Sequence, residues 1–229
     1  MASSIQKCMA GLYLSHCESQ YSTVSCELMT ERLTAQDWID FALTTLAQEG
    51  FDALKADVLA RKLGVSRGSF YWHFTDLRTF HALVIEHWKQ MATEAIIADL
   101  ERYDSSEERL DALARRGFGH DAVLEIRMRA WADHNAEAAR VLSDIDRRRR
   151  AYMEQMLTEA GIAPSLAATR AQLLYWAYLG AALSRSKLTG ERLDRIVAEL
   201  KLIGLRGLPG RPAAVEDSHQ RRAARRQRG

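Results

Sequence analysis

The apolar residues of this chain recur mainly at intervals of three and four, which is the period of an α-helix with one face in a core. The clearest stripe consists of Ile39, Ala42, Leu43, Leu46 and Ala47. Thr34 stands before it with Asp37 three residues later, which is close to a capping box, and Gly50 follows it as a potential C-cap. These signals predict a first helix from Thr34 to about Glu49.

The same spacing continues to the end of the globular part. The further helices are predicted at 55–63, 67–74, Asp76 to about Tyr103, 106–118, 121–133, 135–160, 165–186 and 190–203. No segment shows the alternation of a convincing β-strand. The pattern therefore predicts an all-α chain of about nine helices, in which the fourth is a rigid rod about 40 Å long.

One short segment, VSRGSFYWHF at residues 65–74, concentrates large rings in a chain that is only 8% aromatic. On a helix, Phe70 and Phe74 fall on one side and form a buried stripe. Gly68, Tyr71 and Trp72 fall roughly opposite, and Arg67 and Ser69 flank them. Such a face is unfavourable on a short helix unless a partner covers it, and a purely structural aromatic helix leaves these residues unexplained.

The spacing of Ala60, Gly64 and Phe70 suits two helices that cross steeply through a glycine turn, as in a helix-turn-helix. The second helix of that motif enters the DNA major groove with its N-terminal residues at the bases. Arg67 and Ser69 are then expected to face bases, while Gly68 allows a close backbone approach. The rings and the imidazole are expected to contact phosphates, sugars and thymine methyl groups. These last contacts are assigned to Tyr71, Trp72 and His73.

The segment GFDALKADVLARKLGVSRGSFYWHFTDL resembles the DNA-binding domain of the TetR family of transcriptional regulators, most specifically in LGVSRGSFYWHF. The resemblance covers residues 31–90, with the helix-turn-helix at 55–74. It implies a homodimeric repressor on a palindromic operator. It also implies a helical ligand-binding and dimerisation domain at 91–207. Two positions depart from the family pattern, and there Lys55 and Arg78 are the expected phosphate contacts.

Charge is distributed as DNA binding requires, although the whole chain carries only +2. Residues 31–54 contain one base and five acids, whereas residues 55–78 contain five bases and two acids. The positive charge thus coincides with the proposed DNA contacts. The modest size of this patch indicates that affinity depends on dimerisation. The four consecutive arginines at 147–150 spread round a helix and are interpreted as a solvated surface.

The second half offers candidates for an effector site and a dimer interface. Met91, Met128, Trp131 and Tyr152 are the candidate lining of a pocket for an apolar or aromatic ligand, although most rings and sulfurs of this half are expected to be ordinary core. Small residues in AYLGAAL, at 177–183, permit close helix packing and suit the dimer-forming helix that the resemblance implies. The expected dimer contacts are Ala171, Leu174, Tyr178, Ala181, Leu193, Val197 and Leu200.

Other classes of protein fit poorly. Ligand spacings for a metal and a nucleophile with a nearby base are both missing from the globular part, so we predict no enzyme, no metal and no cofactor. No apolar run reaches a membrane span, and we expect a cytoplasmic protein. A regulator that responds to a protein partner, or an activator, stays open as an alternative to ligand control.

Both ends are expected to be extensions of the folded part. Residues 1–30 contain all three cysteines but no helical period, and we expect a chain that starts at Met29 to retain stability and DNA affinity. Residues 208–229 are polar and rich in arginine and are expected to be a disordered basic tail.

Overall fold

The computed structural model describes residues 33–184 and 188–206, and within these ranges it contains nine α-helices, one short 3-10 helix at Phe51–Ala53 and no strand. The helices are α1 (Ala35–Glu49), α2 (Ala56–Lys62), α3 (Arg67–His73), α4 (Leu77–Lys89, a π-helical turn at Gln90–Glu94, and Ala95–Leu100), α5 (Ser106–Gly119), α6 (Val123–Ala132), α7 (Ala136–Glu159), α8 (Pro164–Leu183) and α9 (Gly190–Leu205). The expected all-α fold is confirmed. The cysteine-rich start and the arginine-rich tail lie outside the described residues.

Local caps set the first boundaries. The Thr34 hydroxyl accepts from the Asp37 amide at 3.2 Å, and the Asp37 carboxylate accepts from the Thr34 amide at 2.8 Å. This completes the capping box that the sequence predicted. Gly50 ends α1 with a φ of 89°, a backbone angle that disfavours residues with a Cβ.

The steep crossing of α2 and α3 depends on a tight glycine turn. Gly64 has a φ of 69°, and the Val65 amide donates to the Ala60 carbonyl at 3.0 Å. Ser66 stands at the N-cap of α3 in extended geometry without a side-chain cap hydrogen bond. Asp76 caps α4, where its carboxylate accepts from the Thr79 amide at 2.7 Å. Helices α3 and α4 are therefore joined by only a few residues.

The fourth helix differs from the predicted rigid rod. It ends at Leu100 rather than Tyr103, and the π-helical turn at Gln90–Glu94 interrupts its α-helical hydrogen bonding. Its 24 residues span about 36 Å. A π-helical turn of this kind often lies at a functional site.

Two apolar cores hold the helices together. The first joins α1–α4 to α6 and the start of α7, and the second joins α5, the end of α7, α8 and α9. The first core therefore extends beyond residue 90, because α6 packs directly on α1. None of the helices in the described ranges is long and apolar enough to cross a membrane.

Candidate DNA interface and effector cavity

The recognition helix α3 is anchored by one side only. Phe70 is 0% exposed, and its ring lies 5.4 Å from that of Trp38 and 5.0 Å from that of Phe80. Phe74 is also buried and lies 4.7 Å from the Phe80 ring. These edge-to-face contacts tie α3 to α1 and α4, so the outward side of α3 is held in a fixed orientation.

The outward side of α3 presents large groups to solvent. Tyr71 is 46% exposed and Trp72 is 77% exposed. The Arg67 guanidinium donates to the Tyr71 hydroxyl at 3.1 Å and lies 5.5 Å from the centre of that ring. Arg67 is thus held on the exposed face with further N–H donors available to a partner.

Contacts within the protomer do not require a glycine at position 68. A Cβ built on Gly68 meets only the Ser66 hydroxyl, at 3.6 Å, which is an ordinary contact. The space outside Gly68 is therefore free for a second molecule. Ser69 is half-buried beside it, and His73 and Lys55 are exposed at the ends of the motif.

The charges of two basic residues of the predicted patch are partly neutralised by nearby carboxylates. Arg78 is 87% exposed, but its guanidinium lies 3.7 Å from Glu137 at the start of α7. Lys62 forms an ion pair with Glu49 at the end of α1. Arg78 is therefore partly directed toward the second half of the chain.

A cavity of about 150 Å³ lies between α4, α5, α7 and α8. Its lining is mostly apolar and includes Trp88, Ile97, Leu113, Phe118, Tyr152 and Tyr178. Tyr152 is the one predicted lining residue that reaches this cavity, where burial and a hydrogen bond to Glu101 raise its pKa. A second pocket of about 300 Å³ adjoins it at the α5–α6 connection.

The other three predicted lining residues lie elsewhere, which corrects that assignment. Met128 and Trp131 belong to the first core, and the Trp131 ring is stacked on Phe51 at 4.7 Å. Met91 packs against the same core. The reason is the packing of α6 on α1, which turns these side chains away from the cavity.

Sequence reasoning missed the cavity's central polar residue. Arg149, one of the four arginines interpreted as a solvated surface, has only 14% of its side chain exposed and lines the cavity. It donates to Glu125 at 3.0 Å. Burial alone lowers the pKa of Arg149, but the charge of Glu125 and the nearby Tyr178 outweigh burial and raise it. Arg149 is therefore a permanent cation in an apolar wall.

Arg149 belongs to a wider network of ion pairs that continues from Glu125. Arg129 donates to Glu125 at 2.9 Å and to Asp146 at 2.8 Å. The Tyr175 hydroxyl donates to Asp146 at 2.6 Å, and burial raises the pKa of Tyr175 to about 12. The two arginines and two carboxylates balance one another, so the network is held without net charge.

The predicted dimer contacts also need correction. Ala171, Leu174, Val197 and Leu200 are buried in the second core of the protomer itself, and Leu193 and Tyr178 pack against that core. Ala181 is half-buried. The large apolar side chains that α8 and α9 leave exposed are instead Leu173, Trp176, Leu183 and Ile203.

The described residues contain no group of three metal-ligating side chains. What they do contain is a helix-turn-helix with an exposed polar and aromatic face, connected to the remaining helices through α4 and through the packing of α6 on α1. This arrangement defines the class as a helix-turn-helix DNA-binding protein with a separate helical domain.

Comparison with known proteins is consistent with this class. Residues 39–76 match the family model of bacterial regulatory proteins of the tetR family. Curated protein sequences give no significant match. Many solved structures share the fold, at sequence identities that establish the fold alone. The DNA-binding segment is thus similar to that of bacterial TetR-family transcriptional regulators, and the described helices share the fold of solved TetR/AcrR regulators.

Three of these structures illustrate the likeness. A transcriptional regulator from Rhodococcus sp. Rha1 is 20% identical, with 77% of this chain and 100% of that chain covered and a TM-score of 0.63. Reduced NemR from E. coli is 19% identical, with 76% and 99% covered and a TM-score of 0.62. FadR from Bacillus subtilis in complex with stearoyl-CoA is 16% identical, with 76% and 100% covered and a TM-score of 0.57.

Proposed function

We propose that the chain is a homodimeric repressor that binds a palindromic operator and is released by a small-molecule effector. The observation that carries the DNA contact is the two-sided α3. Its buried rings fix it to α1 and α4, while Arg67, Gly68, Tyr71 and Trp72 remain exposed. As a regulator of DNA it would act in the cytoplasm.

The base and phosphate contacts follow from position on the helix. Arg67 and Ser69 lie in the first turns of α3, which face base edges when such a helix enters the major groove. Tyr71, Trp72, His73 and Lys55 lie where the backbone passes. Arg78 contributes less than the sequence suggested, because Glu137 offsets part of its charge.

The dimer is proposed to form through the exposed apolar side of α8 and α9. Leu173, Trp176 and Leu183 recur along α8 and Ile203 lies on α9. A continuous exposed apolar stripe of this kind indicates a protein interface. Two-fold symmetry then presents two α3 helices to half-sites about 34 Å, or a multiple of that distance, apart.

An effector is supported by the cavity. One regulator of this fold was solved with stearoyl-CoA, which favours ligand control over a protein partner. The cavity here measures about 150 Å³, comparable with cavities that accept a single aromatic ring. We therefore propose a small, largely apolar or aromatic effector.

The test is selection of bound duplexes from random DNA with the full chain, followed by anisotropy at moderate salt. We expect a palindrome. Arg67→Ala should reduce affinity for it at least tenfold, through loss of one good base contact. Arg102→Ala is the matched control, since Arg102 is an exposed arginine on the second half. Recovery of no preferred sequence, or equal binding by both variants, contradicts the proposed DNA contacts.

A further inference from the structure

Arg149 joins the cavity to the π-helical turn of α4. Its Nη2 donates to the Ala92 carbonyl at 3.0 Å, and its Nε donates to the Thr93 hydroxyl at 3.1 Å. Both acceptors lie in the π turn. Its Nη1 donates to Glu125 at 3.0 Å on α6. One side chain of α7 therefore holds the cavity wall and the irregular turn of the fourth helix at once.

This guanidinium retains capacity for a further acceptor. Arginine has five N–H donors, and three take part in the bonds to Ala92, Thr93 and Glu125. The guanidinium carbon lies 5.6 Å from the centre of the Trp88 ring, which also lines the cavity. A ligand placed against this ring is close enough to reach the remaining donors.

The arginines around the cavity do not favour an anionic ligand. Glu125 already neutralises Arg149, and Arg116, the other arginine that lines the cavity, pairs with Asp99 at 3.0 Å. An added carboxylate therefore finds no uncompensated arginine in this apolar space. A neutral acceptor such as a carbonyl oxygen takes a charge-assisted hydrogen bond without that penalty.

We propose that the effector of this cavity is a neutral, largely apolar molecule with a carbonyl-type acceptor that Arg149 recognises, and that Arg149 transmits its binding to the π turn of α4. The proposal rests on the proposed function, in which this cavity holds the effector. A ligand that binds the present arrangement stabilises it. The bonds from Arg149 to Ala92 and Thr93 then keep the π turn in its present conformation.

The test uses three small probes of nearly equal shape and the full chain without DNA. Acetophenone carries the carbonyl, α-methylstyrene replaces its oxygen with a methylene group, and benzoate adds a negative charge. Affinities are measured by ligand-observed NMR, and hydrogen exchange of peptides that cover Gln90–Glu94 reports on the turn. We expect acetophenone to bind about tenfold more tightly than either other probe. We also expect it to slow exchange at the turn at least about twofold.

Arg149→Met removes the donors but keeps an apolar stem, and Glu125 keeps Arg129 as its partner. The preference for acetophenone should fall to about twofold or less. Arg148→Met is the matched control, because Arg148 contacts Glu94 of the same turn at 3.4 Å from outside the cavity. It should retain the preference.

Thr93→Val tests the coupling of ligand binding to the π turn separately from recognition of the ligand by Arg149. It also provides a test if Arg149→Met does not fold. It removes an acceptor of the turn and leaves the arginine in place, so acetophenone should still be preferred while protection of the turn declines. Tighter binding of benzoate, equal binding of acetophenone and α-methylstyrene, or no binding by any probe overturns the ligand class. Full protection of the turn in Thr93→Val overturns the coupling. None of these results depends on operator binding, so they are distinct from failure of the DNA contacts.

Discussion

Gly68→Ala should increase the free energy of unfolding and weaken binding to the operator. The new methyl group of Gly68→Ala meets no atom closer than the Ser66 hydroxyl, at 3.6 Å, and the backbone needs no left-handed conformation there. Alanine is more favourable than glycine in a helix by about 1 kcal/mol in the interior. Because Gly68 lies in the first turn of α3, we expect about 0.5 kcal/mol.

The expected rise in Tm is therefore only about 1–2 °C for a chain of this size. On DNA the same methyl group lies between the helix backbone and the groove. A displacement of about 1 Å breaks hydrogen bonds that hold only to about 3.2 Å. Loss of one base contact costs about 1–3 kcal/mol, or about 5- to 150-fold in affinity.

Both quantities are measured on the same preparation, by urea unfolding and by fluorescence anisotropy with the selected operator. The rise in stability is itself the control for folding. Wild-type affinity in Gly68→Ala refutes the close approach of the α3 backbone to DNA. A fall in stability refutes the inference that the space around Gly68 is free within the protomer.

The remaining predictions concern the two sides of α3, the proposed dimer interface and the stability of the protein at low pH. Tyr71→Ala should abolish operator binding and leave the Tm unchanged. Phe70→Ala should lower the free energy of unfolding by about 3–5 kcal/mol, because it truncates a large core side chain. The reverse pattern would mean that Phe70 contacts DNA and that Tyr71 belongs to the core. Trp176→Glu should give monomers in sedimentation that bind the operator poorly, and a persistent dimer contradicts the proposed seam. Burial lowers the pKa of His81 although its ring contacts the Leu54 carbonyl, so the unfolded chain binds a proton more readily. The free energy of unfolding should therefore fall below about pH 6.5, and His81→Gln should reduce that fall in urea titrations; an equal pH response in both proteins argues against a role for His81.

Local signals explain why the first half could be predicted well from sequence. Capping residues and helical period depend on neighbours within four positions, as Thr34 and Asp37 show. The two sides of α3 also follow from period alone, since Phe70 and Phe74 occupy one face. No long-range packing had to be known for either conclusion.

The second half could not be resolved in the same way. Helix α8 is apolar nearly all round, so its period does not distinguish a side that packs inside the protomer from one that faces a partner. Leu174 is buried while its neighbour Leu173 is exposed, and nothing local separates them. The inward position of Arg149 likewise depends on Glu125, 24 residues away in sequence. Pairings of that kind come from tertiary packing.

The position of the π turn gives the fourth helix a mechanical advantage that a uniform rod lacks. The segment from Leu77 to Lys89 spans 13 residues, or about 20 Å, between the turn and the recognition helix. A tilt of about 5° at the turn then moves α3 by about 1.7 Å, which exceeds the tolerance of a hydrogen bond to a base. In a dimer both recognition helices move, so their separation can change by about 3 Å against a half-site spacing near 34 Å. A few degrees of change, of the size that the two hydrogen bonds from Arg149 to the turn can hold or release, is thus sufficient to separate an operator-binding form from one that does not bind.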